Sequence, residues 1–245
     1  MTEPNATPAT PTSRIVFGCK LSAATFEAWE AHAAQHRRQH DRDPYDYEFE
    51  HWLRSCKERF AKAEFPDRPV IWLRQWHRGE VEAQNETWLA HWERVKASIG
   101  GPGVTLALTG GRGTGKTQLA TAAGWHVCYS DRSTIYSRAA MLFTRIKSSY
   151  GHDAKETEAK VLKEIVGTQL LVLDEIGETR ETDFEGKMMA NIVCQRHDDG
   201  RDTILISNQS DESLARSVGD SITDRIAEGG GIYTFNWPSF RRVGV

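Results

Sequence analysis

The spacing of hydrophobic positions changes near residue 100. Before that point, large apolar and aromatic residues recur at the three- and four-residue intervals of an amphipathic helix. Two breaks, Asp43-Pro44 and Phe65-Pro66-Asp67, interrupt the pattern where a helix cannot easily continue. The predicted helices cover residues 22–40, 45–63, 70–78 and 86–97, the third being the weakest. This part of the chain is therefore predicted to be all helical.

After the break at Gly100-Gly101-Pro102-Gly103, short β-rich runs alternate with helical segments. Leu170-Leu171-Val172-Leu173 and Ile204-Leu205-Ile206 are continuous apolar runs, as expected of parallel strands covered on both faces. The predicted strands cover residues 104–109, 134–136, 170–173, 203–207 and 232–235. This alternation indicates an α/β fold with helices on both sides of a parallel sheet. The predicted units are a disordered tail (1–13), a helical partner-binding module (14–98) and an α/β domain (99–245).

Six of the eight tryptophans lie in the predicted helical module. Trp72 and Trp76 are four residues apart, as are Trp88 and Trp92, so each pair shares one helix face. Core packing is the favoured interpretation because large aromatic side chains are usually buried, and a partner-binding face is the alternative.

Three histidines, His32, His36 and His40, also share one face of a predicted helix. Their spacing would allow them to hold a metal ion. Positive charge nearby opposes a bound cation, so a solvated polar face is the favoured interpretation. The neighbouring cations are Arg37, Arg38 and Arg42.

Composition narrows the class of protein. The 245 residues include 31 Lys and Arg and 34 Asp and Glu, which gives a net charge of −3. This balance excludes a protein that is positively charged over its whole surface, as histones are, but it does not exclude a local basic groove. No run of 18 apolar residues is present, and the N-terminus lacks the apolar segment of a secretory signal. The four cysteines are scattered and form no C-x-x-C pair, which favours a reduced, cytoplasmic setting.

The strongest motif is a G-x-x-x-x-G-K-[S/T] phosphate-binding loop at residues 110–117, flanked by an apolar run and a helical run. Its glycines allow positive φ angles and let backbone N–H groups approach phosphate oxygens, and a helix N-terminus adds partial positive charge. We predict that Lys116 reaches the β- and γ-phosphates of ATP and that Thr117 binds Mg²⁺. The predicted nucleotide-binding residues are Gly110, Gly111, Arg112, Gly113, Thr114, Gly115, Lys116, Thr117 and Gln118.

Two carboxylates, Asp174 and Glu175, follow the apolar run at 170–173. They would lie at the carboxyl end of a buried strand, which is the edge where ligands bind in open parallel sheets. We predict that Asp174 holds Mg²⁺, directly or through water, and that Glu175 orients and deprotonates the attacking water.

Three further residues are candidates for contact with the γ-phosphate. Asn208 follows another buried strand and would bond to the phosphate or the attacking water. Arg225 is a candidate arginine finger for the nucleotide of a neighbouring subunit, and Arg241 is a candidate sensor within its own chain. On spacing alone, a turn-forming asparagine and two surface cations remain open as alternatives.

Together these motifs resemble those of the DnaC-type bacterial helicase loaders, which are AAA+ ATPases, and of the related IstB transposition helper ATPases. The resemblance runs from about Trp88 to Arg241. The residues that carry it are 110–117, 171–177, 207–208, 223–225 and 235–241. It implies a P-loop AAA+ fold, with Asn208 as sensor 1, Arg225 as the arginine finger and Arg241 as sensor 2.

The same resemblance implies that the chain loads a replicative hexameric helicase onto single-stranded DNA. ATP binding would drive self-association, with the arginine finger acting in trans, and hydrolysis would drive release. The family grips single-stranded DNA with helices after the second strand, so Arg145 and Lys147 would neutralise phosphates and Tyr150 would stack on a base. The helical module would bind the helicase, and no membrane association is expected.

The chain also departs from the family. Ser221 stands where many relatives carry a second basic residue before the Asp-Arg pair, and residues 1–78 do not look like the N-terminal part of the familiar loaders. Two other functions remain open: a transposition helper that binds DNA and a transposase, and a P-loop small-molecule kinase, for which no arginine-rich lid is evident.

Overall fold

The computed structural model describes residues 13–16, 19–22, 47–151, 153–177 and 182–242. The predicted tail and the predicted helix over 22–40, with its three histidines, lie outside these residues except for Ser13 and Ser22. The helices are α1 (Tyr47–Lys62), α2 (Asp67–His77), α3 (Glu86–Ser98), α4 (Lys116–Tyr129), α5 (Ala139–Ser148), α6 (Glu158–Gly167), α7 (Asp183–Asp198), α8 (Asp211–Val218) and α9 (Asp220–Glu228), with a 3₁₀ helix at Phe240–Arg242. The strands are β1 (Ser13–Val16), β2 (Cys19–Ser22), β3 (Thr105–Gly110), β4 (Thr134–Arg138), β5 (Leu170–Asp174), β6 (Asp202–Ile206) and β7 (Gly231–Phe235).

The main sheet has the order β4-β5-β6-β3-β7, and every neighbouring pair is parallel. The predicted α/β fold with a parallel sheet flanked by helices is therefore confirmed. Strands β3, β5 and β6 are almost wholly buried, which explains their continuous apolar runs. Because all five strands point the same way, the loop after β3 and the ends of β4, β5 and β6 meet at one edge.

A separate antiparallel pair, β1 and β2, precedes the helices, with Ser13 opposite Ser22 and Val16 opposite Cys19. The hydrophobic pattern does not predict this pair, because four-residue strands are too short for a period of two to register. Within its described residues, the N-terminal part therefore contains a strand pair as well as helices, so the prediction that it is all helical is wrong.

Helices α1, α2 and α3 pack against α4 on one face of the sheet. Their apolar side chains join those of β3, α4 and β7 in one continuous core. Trp88 and Trp92 are buried in this core, whereas Trp72 and Trp76 are half-buried against it. The core interpretation is therefore confirmed for the α3 pair. The boundary at residue 99 stays a prediction, and it does not coincide with an interruption of the apolar core.

On the other face, helices α5 to α9 cover the sheet around a second apolar cluster. A fully buried arginine, Arg196 on α7, crosses this layer. Its Nη1 donates to the carbonyls of Ile165, Val166 and Thr168 at 2.6, 3.1 and 2.8 Å, which caps the end of α6. Its Nη2 bonds to the Asp202 carbonyl at the start of β6. Arg196 therefore fixes the entry into two central strands.

None of the helices in the described part of the chain has both the length and the apolar character that crossing a bilayer requires.

Candidate functional site

The phosphate-loop motif forms the connection between β3 and α4, as the sequence predicts. Gly110 has a φ of 115°, and a Cβ there would collide with the Phe235 carbonyl on the neighbouring strand. Gly115 has a φ of 95° and begins α4 as its N-cap. Only glycine combines these backbone angles with such close approach. The loop therefore bends back over the start of α4.

Lys116 is 5% exposed, and its ammonium group lies over the loop. Nζ donates to the carbonyls of Gly110 and Gly111, both at 2.7 Å, and to Asn208 Oδ1 at 2.9 Å. Asn208 follows β6, which lies beside β3 in the sheet. Two predicted site residues from separate motifs are thus in direct contact through an ordinary charge-assisted hydrogen bond.

The predicted magnesium ligands also contact each other. Thr117 Oγ1 donates to Asp174 Oδ2 at 3.0 Å, across the edge of the sheet. Tyr136 on β4 donates its hydroxyl to the same oxygen at 2.8 Å. Burial and the neighbouring Asp174 carboxylate raise the pKa of Tyr136, so the phenol keeps its proton and acts as a donor. The hydroxyl and the carboxylate are hard oxygen ligands of the kind that Mg²⁺ binds together with phosphate oxygens.

Glu175 follows Asp174 in a left-handed backbone conformation, with φ of 62°. Its backbone N–H donates to Asp174 Oδ1 at 2.7 Å, which ties the two acids together. Its carboxylate pairs with Arg138 Nε at 3.4 Å, and both side chains are about half exposed. A positive φ is uncommon for a residue other than glycine, and such residues recur at functional sites.

Tyr136 and Arg138 also belong to the site, although the sequence does not predict them. Tyr136 is the middle residue of β4, and Arg138 is its last residue and the direct register partner of Asp174. The sequence of this strand is Thr-Ile-Tyr-Ser-Arg, so no continuous apolar run followed by polar residues marks it. The pairing of β4 with β5 is what brings the two side chains to the site.

The segment after β7 returns to the phosphate loop. Trp237 Nε1 donates to the Thr114 carbonyl at 3.0 Å, and the Phe240 N–H donates to the Gly113 carbonyl at 2.9 Å. The Cδ atom of Arg241 lies 3.3 Å from the place where a Cβ on Gly113 would be. Arg241 is therefore beside the loop, where the sequence predicts a sensor.

Two other predicted nucleotide-binding residues lie at the rim of the loop. Arg112 is exposed at its tip. Gln118, in the first turn of α4, accepts a hydrogen bond from Gln84 at 2.8 Å through Oε1. Gln84 lies in the segment before α3, so that segment reaches the phosphate loop as well.

Arg225 is separate from this cluster. It lies on α9, and its guanidinium pairs with Glu228 at 3.3 Å and with Asp198 at 3.8 Å. The structure does not bring Arg225 to the phosphate loop of its own chain, as expected of a residue that would act on a neighbouring subunit.

The predicted DNA-binding residues form a second, exposed region around α5. Arg145 pairs with Glu156 and Glu164, each at 2.6 Å, and these acids hold the pKa of Arg145 above its usual value. Lys147 pairs with Glu185 at 2.7 Å. Tyr150 donates to Glu158 at 2.7 Å, and half of its side chain is exposed. Each predicted DNA contact is therefore already bonded to a carboxylate.

A family described as "IstB-like ATP binding protein" matches residues 103–241. The replicative helicase loader DnaC of Buchnera aphidicola subsp. Baizongia pistaciae is 33% identical over 139 residues, which are 56% of this chain and 56% of that protein. The DnaC loader of Escherichia coli K12 is 28% identical over 138 residues, again 56% of each chain. The chain thus matches about half the length of these relatives.

Two solved structures share the fold. A DnaC helicase loader superposes with a TM-score of 0.55 at 23% identity and covers 63% of this chain and 93% of the loader chain. The replication initiator DnaA bound to AMPPCP and single-stranded DNA superposes with a TM-score of 0.54 at 22% identity, over 64% of this chain and 48% of the initiator. At this level of identity, the likeness shows that the fold is shared.

Proposed function

Because this chain belongs to the IstB-like family of ATP-binding proteins, we propose that it is an ATP-hydrolysing switch that loads a replicative ring helicase onto single-stranded DNA. The observation that supports the ATP site most strongly is the contact between separate motifs at one sheet edge. Lys116, Thr117, Asp174 and Asn208 come from three parts of the chain and are joined by hydrogen bonds of 2.9 and 3.0 Å.

Each residue of this cluster has a role in binding ATP. The backbone N–H groups of residues 113–117 bind phosphate oxygens, and the N-terminus of α4 adds favourable dipole charge. Lys116 exchanges its bonds to the Gly110 and Gly111 carbonyls for bonds to the β- and γ-phosphates. Asn208, which already contacts Lys116, lies within reach of the same phosphates.

Thr117 and Asp174 fit a magnesium ion. Their oxygen atoms are 3.0 Å apart at the mouth of the loop, and Mg²⁺ in nucleotide sites takes one or two such ligands along with phosphates and water. When bound, Mg²⁺ neutralises part of the negative charge of the phosphates. Tyr136 orients Asp174 by its hydrogen bond to Oδ2.

Glu175 is the general base of the proposed hydrolysis. It accepts a proton from the attacking water at its carboxylate, next to the Asp174 carboxylate that its own N–H fixes. Arg138 pairs with the same carboxylate, so Glu175 must leave that ion pair to bond to a water. Arg241 contacts the γ-phosphate from within the chain, and Arg225 does so from the next subunit.

Lys116→Ala tests the ATP site, with Lys57→Ala on the exposed face of α1 as the control. We expect Lys116→Ala to weaken ATP binding at least about tenfold in calorimetric titration, because it removes a charged contact to phosphate. Lys57→Ala should bind like the wild type. Equal ATP affinity in the wild type and Lys116→Ala would contradict the proposed site.

Arg225→Ala tests assembly in trans. The variant should bind ATP normally as a single subunit and lose DNA-stimulated phosphate release, whereas Arg216→Ala on the exposed face of α8 should retain it. Mixing Arg225→Ala with Glu175→Gln should restore part of the activity that each lacks alone, because some interfaces then combine an intact finger with an intact base. Retained stimulation in Arg225→Ala alone would contradict the assignment.

The partner separates the loader role from that of a transposition helper. The names of the curated relatives favour a replicative helicase, whereas the description of the matching family favours a helper of the IstB type. Co-purification of the full chain with a hexameric helicase supports the first function, and co-purification with a transposase supports the second. We propose residues 14–98 as the part of the chain that selects this partner.

A further inference from the structure

Three consecutive carbonyl groups of the phosphate loop accept hydrogen bonds from outside the loop. The Phe240 N–H donates to Gly113 O at 2.9 Å, Trp237 Nε1 donates to Thr114 O at 3.0 Å, and Trp88 Nε1 donates to Gly115 O at 3.0 Å. The donors come from two distant parts of the chain. Trp88 lies on α3, before the sheet, and Trp237 and Phe240 follow the last strand.

Planarity of the peptide bond gives these contacts a consequence on the opposite side of the loop. In a trans peptide, the C=O and N–H groups point in opposite directions within a rigid plane. The carbonyls of Gly113, Thr114 and Gly115 share their peptide planes with the N–H groups of Thr114, Gly115 and Lys116. Donors that hold the carbonyls outward therefore hold those N–H groups inward.

We propose that Trp88 and Trp237 are positioning residues, whose indole N–H groups orient the loop amides of Lys116 and Gly115 toward the phosphates of ATP. This inference rests on the proposed function, since it names two residues that position the loop amides of the same ATP site. Amides that are oriented before ATP arrives need no reordering when it binds, which favours affinity.

The surroundings of Trp88 support a role for its N–H group in addition to its apolar ring. The side chain is fully buried, so its N–H needs a partner, and Gly115 O is that partner. A Cβ on Gly115 would lie 2.9 Å from Nε1, so the close approach depends on glycine. Gly115 O also accepts the Leu119 N–H at 3.0 Å, and the two donors together fix its direction.

Neighbouring aromatic rings hold the two indoles in place. Trp72 and Trp76 meet the Trp88 ring edge-on, with centroids 5.2 and 5.5 Å away. Trp237 packs against Phe235 at 4.9 Å. His91, on the same helix as Trp88, lies 5.9 Å from Trp237 and bonds to the backbone of β7. The two donors thus belong to one packed unit, and α3 is linked to the C-terminal segment through it.

The test compares Trp88→Phe and Trp237→Phe, which keep an aromatic ring and remove the N–H, with Trp92→Phe. Trp92 is a suitable control because it lies one turn along α3, is 7% exposed, and packs on Trp76 and His126. Calorimetry gives the ATP affinity of the full chain, and urea unfolding without nucleotide gives its stability. Hydrogen exchange of the loop peptide is measured at saturating ATP.

We expect the dissociation constant for ATP to rise about tenfold in Trp88→Phe and in Trp237→Phe, because each loses one orienting hydrogen bond. Trp92→Phe should change it less than about twofold, since its ring makes no such bond to the loop. Loop amides should also exchange faster in the first two variants at saturating ATP. If either variant fails to fold, benzothienylalanine at that position keeps the ring size and removes only the N–H.

Three results would overturn the inference. Unchanged ATP affinity in both loop variants would do so, even if their stability falls, because that pattern belongs to ring packing alone. An equal loss in Trp92→Phe would assign the effect to ring size. Failure of the wild type to bind ATP would overturn the proposed function as well. If Lys116→Ala binds ATP weakly while both tryptophan variants bind it with normal affinity, only the positioning role is overturned.

Discussion

The hydrogen bond from Tyr136 to Asp174 offers a sharp test of how the metal side of the site is built. Tyr136→Phe removes only the hydroxyl, which is buried and donates to Oδ2 at 2.8 Å. A hydrogen bond to a charged group contributes about 1.5–3 kcal/mol. Asp174 keeps two other donors, the Thr117 hydroxyl at 3.0 Å and the Glu175 N–H at 2.7 Å, so its position is only partly released. We therefore expect a loss of about 1–2 kcal/mol in the free energy of unfolding.

The same change should weaken the use of Mg²⁺. Loss of a group that orients a metal ligand typically costs about 10- to 100-fold in metal affinity or activity, and the two remaining donors favour the lower value. The Mg²⁺ concentration that gives half-maximal ATP turnover should therefore rise about tenfold in Tyr136→Phe. The assay is phosphate release at saturating ATP over a magnesium titration, with ATP affinity measured separately in EDTA.

Tyr233→Phe is the matched control. Tyr233 is also a buried tyrosine on a strand of the same sheet, but its ring contacts are with His91 and Arg94 rather than an acid. Its magnesium dependence should equal that of the wild type. If Tyr136→Phe shows the same magnesium dependence as Tyr233→Phe, the phenol of Tyr136 does not orient the carboxylate of Asp174 and this prediction is wrong.

Three further changes test other parts of the structure. Arg138→Gln should raise basal ATP turnover by up to about fivefold, because a half-exposed ion pair with Glu175 restrains the base by less than about 1 kcal/mol; unchanged turnover would contradict this restraint. Arg196→Met should lower the free energy of unfolding by about 3–5 kcal/mol in urea titration, because it leaves several buried carbonyls without a donor. A loss below about 1 kcal/mol would contradict the role of Arg196 in capping α6. Glu156→Gln should strengthen binding of a labelled single-stranded oligonucleotide about threefold at low salt, because Arg145 loses a bonded acid; equal anisotropy curves would show that the ion pair does not limit DNA access.

The central part of the fold follows from local sequence. The run at residues 104–109 is apolar at four of its six positions, the loop is rich in glycine, and helix formers follow Lys116. Each of these signals is short-range and agrees with its neighbours, which explains why the order of strand, loop and helix is predicted. The strand predicted at 104–109 lies within one residue of its observed bounds, Thr105–Gly110, and the helix begins at Lys116, inside the motif.

Contacts between distant segments could not be predicted in this way. Tyr136 and Arg138 join the site because β4 pairs with β5, and nothing within β4 itself identifies Asp174 as its neighbour. The hydrogen bond from Trp88 to Gly115 likewise depends on how α3 packs on α4. The spacing of Trp88 and Trp92 reveals a shared helix face but not the carbonyl that one indole meets.

The ion pairs on the surface could not be predicted from the sequence either. The run containing Arg145 and Lys147 looks like an ordinary basic helix face, and the acids that neutralise it come from the segment before α6, from α6 and from α7. These pairs span 11 to 38 residues along the chain. The sequence shows the positive charges, whereas the fold determines what they contact.

The most direct test of the ATP site is a crystal structure of the full chain with a non-hydrolysable ATP analogue and Mg²⁺. We predict that phosphate oxygens bond to the backbone N–H groups of residues 113–117. We also predict that Lys116 Nζ moves from the Gly110 and Gly111 carbonyls to the β- and γ-phosphates. An analogue bound elsewhere, with Lys116 still on those two carbonyls, would contradict these predictions.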